Sequence, residues 1–226
     1  MSFRKLLEII VTSWEEAREA EQGGADRIEL VSDLASEGLT PGLGTVEQVL
    51  AAVSIPVRVM LRSNESFHLN EAGELHALQT FAQEASQMPI SGVVLGYVKG
   101  GCVDFETTDA VLACCNSKPA TFHRAIEAIA DQQSAIAQLR KQSQIDRILT
   151  CGGSGSWVTR RASLERLQEA ARPEMTIIAG GGLTQQGLAV IAESPILKEF
   201  HVGRAARDSS LQMRSRSIQE LRTLLG

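Results

Sequence analysis

Short apolar runs alternate along this chain with longer segments in which apolar residues recur every three or four positions. The short runs, rich in Val, Ile and Leu, are typical of buried parallel strands, and the longer recurrence is typical of amphipathic helices. The pattern predicts eight strands, over residues 5–11, 27–31, 57–62, 91–97, 119–124, 145–150, 175–179 and 198–202. Each predicted strand is followed by a predicted helix.

The predicted helices are marked by capping residues as well as by their periodicity. Ser13 with Glu16 three residues later forms a capping-box pattern, and Gly23-Gly24 closes the same helix. The eight helices are predicted over residues 13–23, 45–53, 70–87, 104–115, 131–141, 160–171, 185–193 and 211–224.

The repeated strand–helix unit predicts an α/β fold, because parallel strands need crossover connections that helices usually supply. Eight such units are what a closed TIM (β/α)8 barrel requires, and a chain of 226 residues is close to the usual lower size for that fold. We therefore expect a single barrel domain over residues 1–226. An open doubly wound sheet is the alternative that the pattern leaves open.

Five strands of the predicted barrel send a polar side chain toward its interior. Apolar residues on one face of each strand suit the helix side, so the other face looks inward. The inward polar residues are Glu8, Glu29, Arg62, His123 and His201. A buried charge is costly unless it is paired, so their convergence favours a site for acid–base chemistry or for gripping a small polar ligand. Packed ion pairs without a ligand are the structural alternative.

Glycine-rich loops follow the last two predicted strands. Gly180, Gly181 and Gly182 end the seventh strand, and Gly203 with Arg204 ends the eighth. Loops at these two places form the usual phosphate site of such barrels, where bare backbone N–H groups meet an anion. We expect a small anionic ligand here, with tight turns as the alternative.

Composition narrows the class of protein further. The net charge of −5 and the lack of a clustered basic face argue against nucleic-acid binding. No apolar run reaches the roughly 18 residues that a membrane span needs, and the first residues do not have the pattern of a signal peptide. Two of the four cysteines, Cys114 and Cys115, are adjacent, which suits neither a disulfide framework nor a metal knuckle. A reducing cytoplasm is the expected compartment.

Several motifs give the chain a family resemblance that covers nearly its whole length. GGADRIEL followed by EGLTP, then TFHRA, then IIAGGGL resemble the CutC family, whose proteins are named for copper homeostasis. The resemblance implies a cytosolic TIM barrel, a homodimer, and a role in copper tolerance or copper binding.

The chain departs from that family at two informative positions. Many members carry Cys in the first strand and at the end of the second, where this chain has Ile10 and Val31. Cu(I) prefers thiolate and thioether donors, so copper is not supported by the ligands present, and Cys151 is left as the candidate metal ligand, with Met60 as a poor partner.

Two functional hypotheses follow. The chain is either a copper-binding homeostasis protein without catalysis, or a metal-independent lyase or isomerase acting on a small anionic or phosphorylated metabolite. In the second hypothesis Glu29 or His123 is the base and Arg62 polarises an oxygen. A module that only senses a metabolite is a third possibility.

Overall fold

The computed structural model describes residues 4–226 and contains a closed barrel of eight parallel strands surrounded by helices. The ten strands are β1 Leu6–Val11, β2 Arg27–Leu30, β3 Val57–Met60, β4 Gly92–Leu95, β5 Val98–Lys99, β6 Cys102–Val103, β7 Ala120–Phe122, β8 Ile145–Thr150, β9 Thr176–Ala179 and β10 Glu199–Val202. Around the barrel the order is β1-β10-β9-β8-β7-β4-β3-β2. The predicted single-domain TIM barrel is confirmed, and the open sheet is excluded.

In the described part of the chain, eight α-helices cover the barrel. They are α1 Trp14–Gln22, α2 Leu43–Ala52, α3 Glu74–Ala85, α4 Phe105–Leu112, α5 Gln132–Leu139, α6 Trp157–Ala171, α7 Gln185–Ala192 and α8 Ser215–Leu225. Short 3-10 helices follow β2, β7 and β10, at Leu34–Ser36, Arg124–Ala128 and Arg204–Ala206. Within residues 4–226, no helix has the length and apolar character that a membrane span requires.

The capping pattern predicted for α1 is present. Glu16 donates its backbone N–H to the Ser13 hydroxyl, while the Glu16 carboxylate accepts the N–H of Thr12 at 2.8 Å. The first bond satisfies an N–H group of the first helical turn, and the second satisfies the N–H of Thr12, the residue just before the cap. The helix therefore starts where the sequence indicates.

Several predicted elements have other bounds: β3 ends at Met60 and β4 at Leu95, each two residues earlier than predicted. Residues 98–103, predicted as a loop, form the antiparallel hairpin β5–β6. The strand predicted over 119–124 stops at Phe122, because the Nδ1 atom of His123 accepts the N–H of Ala125 at 3.2 Å and starts a 3-10 helix. This local side-chain bond competes with continuation of the strand.

The barrel interior is built in layers, each made of four residues from alternate strands, as this fold requires. The register pairs place three layers, from the amino end of the strands upward, as Arg27, Gly92, Arg147, Glu199; then Glu8, Arg58, Thr121, Ile178; then Glu29, Val94, Leu149, His201. The same alternation, continued past the strand ends, adds two more layers: Ile10, Met60, His123, Gly180; then Val31, Gly96, Cys151, Gly203. The two lowest layers are ionic. The upper three layers combine apolar residues and glycines with Glu29, Cys151 and two imidazoles.

Gly180 is a point of close packing inside this stack. A Cβ atom there would lie 2.6 Å from Leu149 Cδ1 and 2.9 Å from His201 Cβ. We expect Gly180→Ala to destabilise the fold by about 1–3 kcal/mol in urea unfolding, because the core is already filled. Gly44→Ala is the matched control: its Cβ would meet nothing within 4 Å, and in helix α2 it should stabilise by about 0.5–1 kcal/mol. A Gly180→Ala variant as stable as the wild type would contradict this tight packing.

Candidate functional site

Three of the predicted inward residues meet in the middle of the barrel. His201 Nδ1 lies 2.9 Å from Glu8 Oε1, and His201 Nε2 lies 3.6 Å from Glu29 Oε2. All three side chains are buried; Glu8 and Glu29 are each 1% exposed and His201 is 7% exposed. The structure thus places one imidazole between two carboxylates.

Glu8 is the fixed member of this trio. Its second oxygen accepts a hydrogen bond from Arg27 Nε. Burial alone would raise the pKa of Glu8, but Arg27 and His201 outweigh burial and hold that pKa well below its usual range. An ionised carboxylate can only accept, so His201 Nδ1 carries a proton and Nε2 faces Glu29. Glu8 therefore sets the orientation of the imidazole.

A network of ion pairs extends from Glu8 to the amino end of the barrel. Arg27 donates to Glu199 at 2.6 Å, and Arg147 Nε donates to the same carboxylate at 2.7 Å. The network ends at Asp146, which accepts two 2.8 Å bonds from Arg58 and one from Arg147.

The charges of this network balance without Glu29. Three guanidinium groups, those of Arg27, Arg58 and Arg147, face the carboxylates of Glu8, Asp146 and Glu199. Glu29 has no ion pair with an arginine among residues 4–226. Glu29 and His201 are left outside this balance, so they share the remaining proton between them.

Burial raises the pKa of Glu29 to about 7, and the neighbouring charge of Glu8 acts in the same direction. Burial also opposes protonation of His201, but Glu29 and Glu8 outweigh it and raise the pKa of that imidazole above its ordinary value. Glu29 Oε1 is buried and makes no hydrogen bond with any described residue. At neutral pH, Glu29 and His201 can therefore exchange a proton with a bound molecule.

His123 lies one layer above Glu29 and does not join the trio. Burial and the charge of Arg62 lower the pKa of His123 to about 3, so its imidazole is neutral. Because Nδ1 accepts from Ala125, Nε2 carries the proton, and it is buried without a partner among the described residues. His123 therefore presents a buried N–H donor rather than a base.

Arg62 is also separate from the trio. Its guanidinium donates to four backbone carbonyls of the rim, those of Ser36, Gly38, Glu65 and Ser66. Its Cζ atom stands 5.1 Å from the centre of the Phe67 ring. These contacts make Arg62 a clamp between two loops at the mouth, because every hydrogen bond of its guanidinium is directed at a backbone carbonyl.

The predicted anion-binding residues lie at the carboxyl end of the barrel. Gly181 and Gly182 have φ values of 74° and 78°, a backbone region that glycine adopts readily. They precede Thr184, whose hydroxyl caps helix α7 by accepting the N–H of Gly187 at 3.0 Å. Gly203 starts the 3-10 helix that contains Arg204, and Arg204 is exposed. The anion-binding role of these residues stays a prediction.

A cluster that the hydrophobic pattern did not predict lies beside Gly181. Arg124 donates to Glu127 through Nε and Nη2 and to Glu37 through Nη1. Glu127 also accepts the N–H of Cys151 at 2.8 Å. Burial and the charge of Glu127 raise the pKa of the Cys151 thiol, so the sulfur is protonated at neutral pH and is a weak metal ligand.

The residues around the trio differ in the signal that they leave in the sequence. Strand alternation places Glu199 inward together with His201, and it also places Arg27 inward, two positions before Glu29. Arg124 and Glu127 follow the end of β7, where no alternation applies.

The barrel with this buried acid–base interior defines a class: a (β/α)8 protein whose polar groups meet inside the barrel, beneath its carboxyl-end mouth. Comparison with known proteins identifies the family. The CutC family model matches residues 5–206, and the chain belongs to the CutC family.

Named relatives agree with this assignment. The chain is 35% identical over 215 residues to the human copper homeostasis protein cutC homolog, covering 94% of this chain and 78% of the human protein. It is 30% identical over 211 residues to family protein CutC of Aliivibrio fischeri (strain MJ11), covering 92% of this chain and 85% of that protein. The crystal structure of CutC from Streptococcus agalactiae superposes with a TM-score of 0.79 at 27% identity, covering 88% of this chain and 98% of that one.

The interior donors do not fit Cu(I). Ile10 and Val31 lie with Met60 and Val94 in a small buried apolar cluster, so Met60 is the single soft donor of that cluster. Atoms of Glu8, Glu29 and His201 do lie within 4.8 Å of one another. However, both Glu8 oxygens are already bonded, to His201 and Arg27, and a carboxylate–imidazole set suits harder cations.

Proposed function

We propose that this chain is an enzyme that transfers a proton to or from a small anionic molecule, in a reaction of the lyase or isomerase type. One observation carries the proposal: the buried Oε1 of Glu29 has no partner among the described residues and lies on a carboxyl group beside an imidazole that Glu8 holds in place. A buried polar group without a partner costs free energy, which a ligand group would recover.

Each group has a stated role in this proposal. Glu29 exchanges a proton with the reacting carbon or oxygen, because its pKa of about 7 allows both forms at neutral pH. His201 shares that proton through Nε2 while Nδ1 stays on Glu8. His123 donates its buried Nε2–H to an oxygen of the substrate, the role first expected for Arg62. The substrate enters from the mouth, above His201.

A two-part experiment tests the proposal. A panel of phosphorylated and carboxylated metabolites is screened for thermal stabilisation, and each hit is incubated with the protein in D2O. We expect deuterium to enter the bound molecule, detected by proton NMR. Glu29→Gln and His201→Gln should slow this exchange by about 10²–10⁴-fold, which is the usual contribution of a positioned acid or base.

His76→Gln serves as the matched control, because His76 is an exposed histidine of helix α3. It should exchange deuterium at the wild-type rate. Exchange that is equally fast in all variants would remove the proposed role of Glu29 and His201. If no molecule of the panel stabilises the protein, the enzyme proposal is refuted.

Copper binding is the second candidate, favoured by the names of the relatives. If the chain binds Cu(I), the half-buried Cys151, which directly follows the carboxyl end of β8, is the candidate ligand, and Cys151→Ser should weaken binding in a competition titration. Affinity that is unchanged in Cys151→Ser, or no tighter than free thiols provide, would exclude a specific site at this residue.

We propose a homodimer in a reducing cytoplasm as the working state. All four cysteines are free, which suits a reducing compartment, and the dimer follows from the family resemblance. Light scattering should give a mass of twice the 24.4 kDa chain; a monomer mass at micromolar concentration would refute the dimer.

A further inference from the structure

The guanidinium of Arg124 lies at the barrel mouth, and its two edges bind different partners. Its inner edge donates to both oxygens of Glu127, at 2.9–3.2 Å. Glu127 is in turn held by the N–H of Cys151 and by the Thr150 hydroxyl. The inner edge is therefore anchored to the barrel, and Nη1 points away from that anchor.

Nη1 donates to Glu37 at 2.9 Å, across from the loop that follows β2. The Glu37 side chain is 62% exposed, against 31% for Arg124. An exposed ion pair contributes only about 0–1 kcal/mol, so another oxyanion can replace this carboxylate at low cost. The geometry of a planar guanidinium matches both carboxylates and phosphates, so either group can accept its hydrogen bonds.

Gly181 connects this guanidinium to the buried trio. A Cβ atom on Gly181 would lie 2.9 Å from Arg124 Nε and 2.9 Å from Cys151 Cβ, so only glycine fits beneath the guanidinium. The preceding residue, Gly180, packs against His201. Consecutive Cα atoms are about 3.8 Å apart, so Arg124 and His201 flank neighbouring residues of one strand end.

Backbone donors lie at the same place. Within residues 4–226, the N–H groups of Gly181 and Gly182 donate to no protein acceptor, whereas the N–H of Gly180 donates to Thr150 at 3.0 Å. Free N–H groups at such a loop are typical of oxyanion sites in barrels.

We propose that Arg124 binds the anionic group of the substrate, and that Glu37 is a resident carboxylate which this group displaces. The inference rests on the proposed function and narrows its substrate class: a small molecule with a carboxylate or phosphate a few atoms from the carbon that exchanges its proton. The anion lies at Arg124 and Gly181, and the reacting carbon lies below it, toward His201 and Glu29.

Isothermal titration with inorganic phosphate and with acetate, at constant ionic strength, tests this assignment. Glu37→Gln removes the competing carboxylate and should tighten binding about threefold to fivefold. Arg124→Gln should weaken it more than about tenfold, since a hydrogen bond to a charged group is lost. Arg124→Lys keeps the positive charge but lacks the planar guanidinium, so its anion affinity should lie between those of Arg124→Gln and the wild type. Whichever anion responds more strongly to these changes identifies the substrate's group.

Glu174→Gln is the matched control, because Glu174 forms a comparable exposed pair with Arg140 at 2.7 Å. It should leave anion affinity unchanged. Equal affinity in wild type, Glu37→Gln and Arg124→Gln, or no binding of either anion to any variant, would overturn the inference. Deuterium exchange that persists in that case would leave the proposed function intact. Anion binding through Arg124 without any exchange would instead refute the proposed function alone.

Discussion

Arg27→Met should destabilise the protein by about 3–5 kcal/mol in urea unfolding at neutral pH. Arg27 is 4% exposed and is the only guanidinium that hydrogen-bonds Glu8 among the described residues. Removing one member of a buried ion pair leaves the other as an uncompensated charge, and that loss exceeds the net contribution of the intact pair. Glu199 keeps Arg147 as a partner, so the cost falls mainly on Glu8.

Two further variants make the test specific. Arg216→Met is the control, because Arg216 is 90% exposed and pairs with Glu220 across one helical turn; it should change stability by less than about 1 kcal/mol. The double variant Arg27→Met with Glu8→Gln should be more stable than Arg27→Met alone, because it leaves no lone buried charge. Additive losses in the double variant would contradict the coupling between Arg27 and Glu8.

Glu29→Gln should make the protein more stable above about pH 8, by up to about 3 kcal/mol, and should leave it unchanged below about pH 4. Folding raises the pKa of Glu29 from 4.5 to about 7. The folded state therefore binds this proton more tightly than the unfolded chain, and the associated stability is complete at low pH. It is lost as the pH rises toward and through about 7. Glutamine stays neutral throughout and does not lose it.

Urea unfolding at a series of pH values measures this effect as the difference between variant and wild type. Glu8 contributes stability that is lost as the pH falls, because its pKa is lowered on folding. Such contributions of other groups are present in both proteins and largely cancel in the difference. Glu84→Gln on helix α3 is the control, since Glu84 is exposed. A difference that does not change between pH 4 and pH 8 would show that folding does not shift the pKa of Glu29.

Strand alternation predicted the part of the site that lies within paired strands. Glu8, Glu29 and His201 are each on a strand with register partners on both sides, so the two-residue period fixes which way they face. The same rule places Arg27 and Glu199 inward, but the ion pairs joining them depend on distances between strands far apart in sequence.

The rule fails at the strand ends. Arg62 lies beyond Met60, the last residue of β3, and its direction is set by carbonyls of two loops. His123 turns to cap a 3-10 helix, and Arg124 lies on that helix. Alternation places His123 on the inward face, but the contacts of these three residues depend on loop conformation and local hydrogen bonds, which the hydrophobic pattern does not describe.

The ionic lower layers also bear on how stability changes with temperature. Most barrels of this fold fill their interior with branched apolar side chains, whereas this one places arginine and carboxylate groups in its two lowest layers. Exposing polar surface lowers the heat capacity of unfolding, while exposing apolar surface raises it. This barrel should therefore unfold with a heat capacity change below the usual figure of about 12–15 cal/mol/K per residue. Its free energy of unfolding would then follow a flatter curve against temperature.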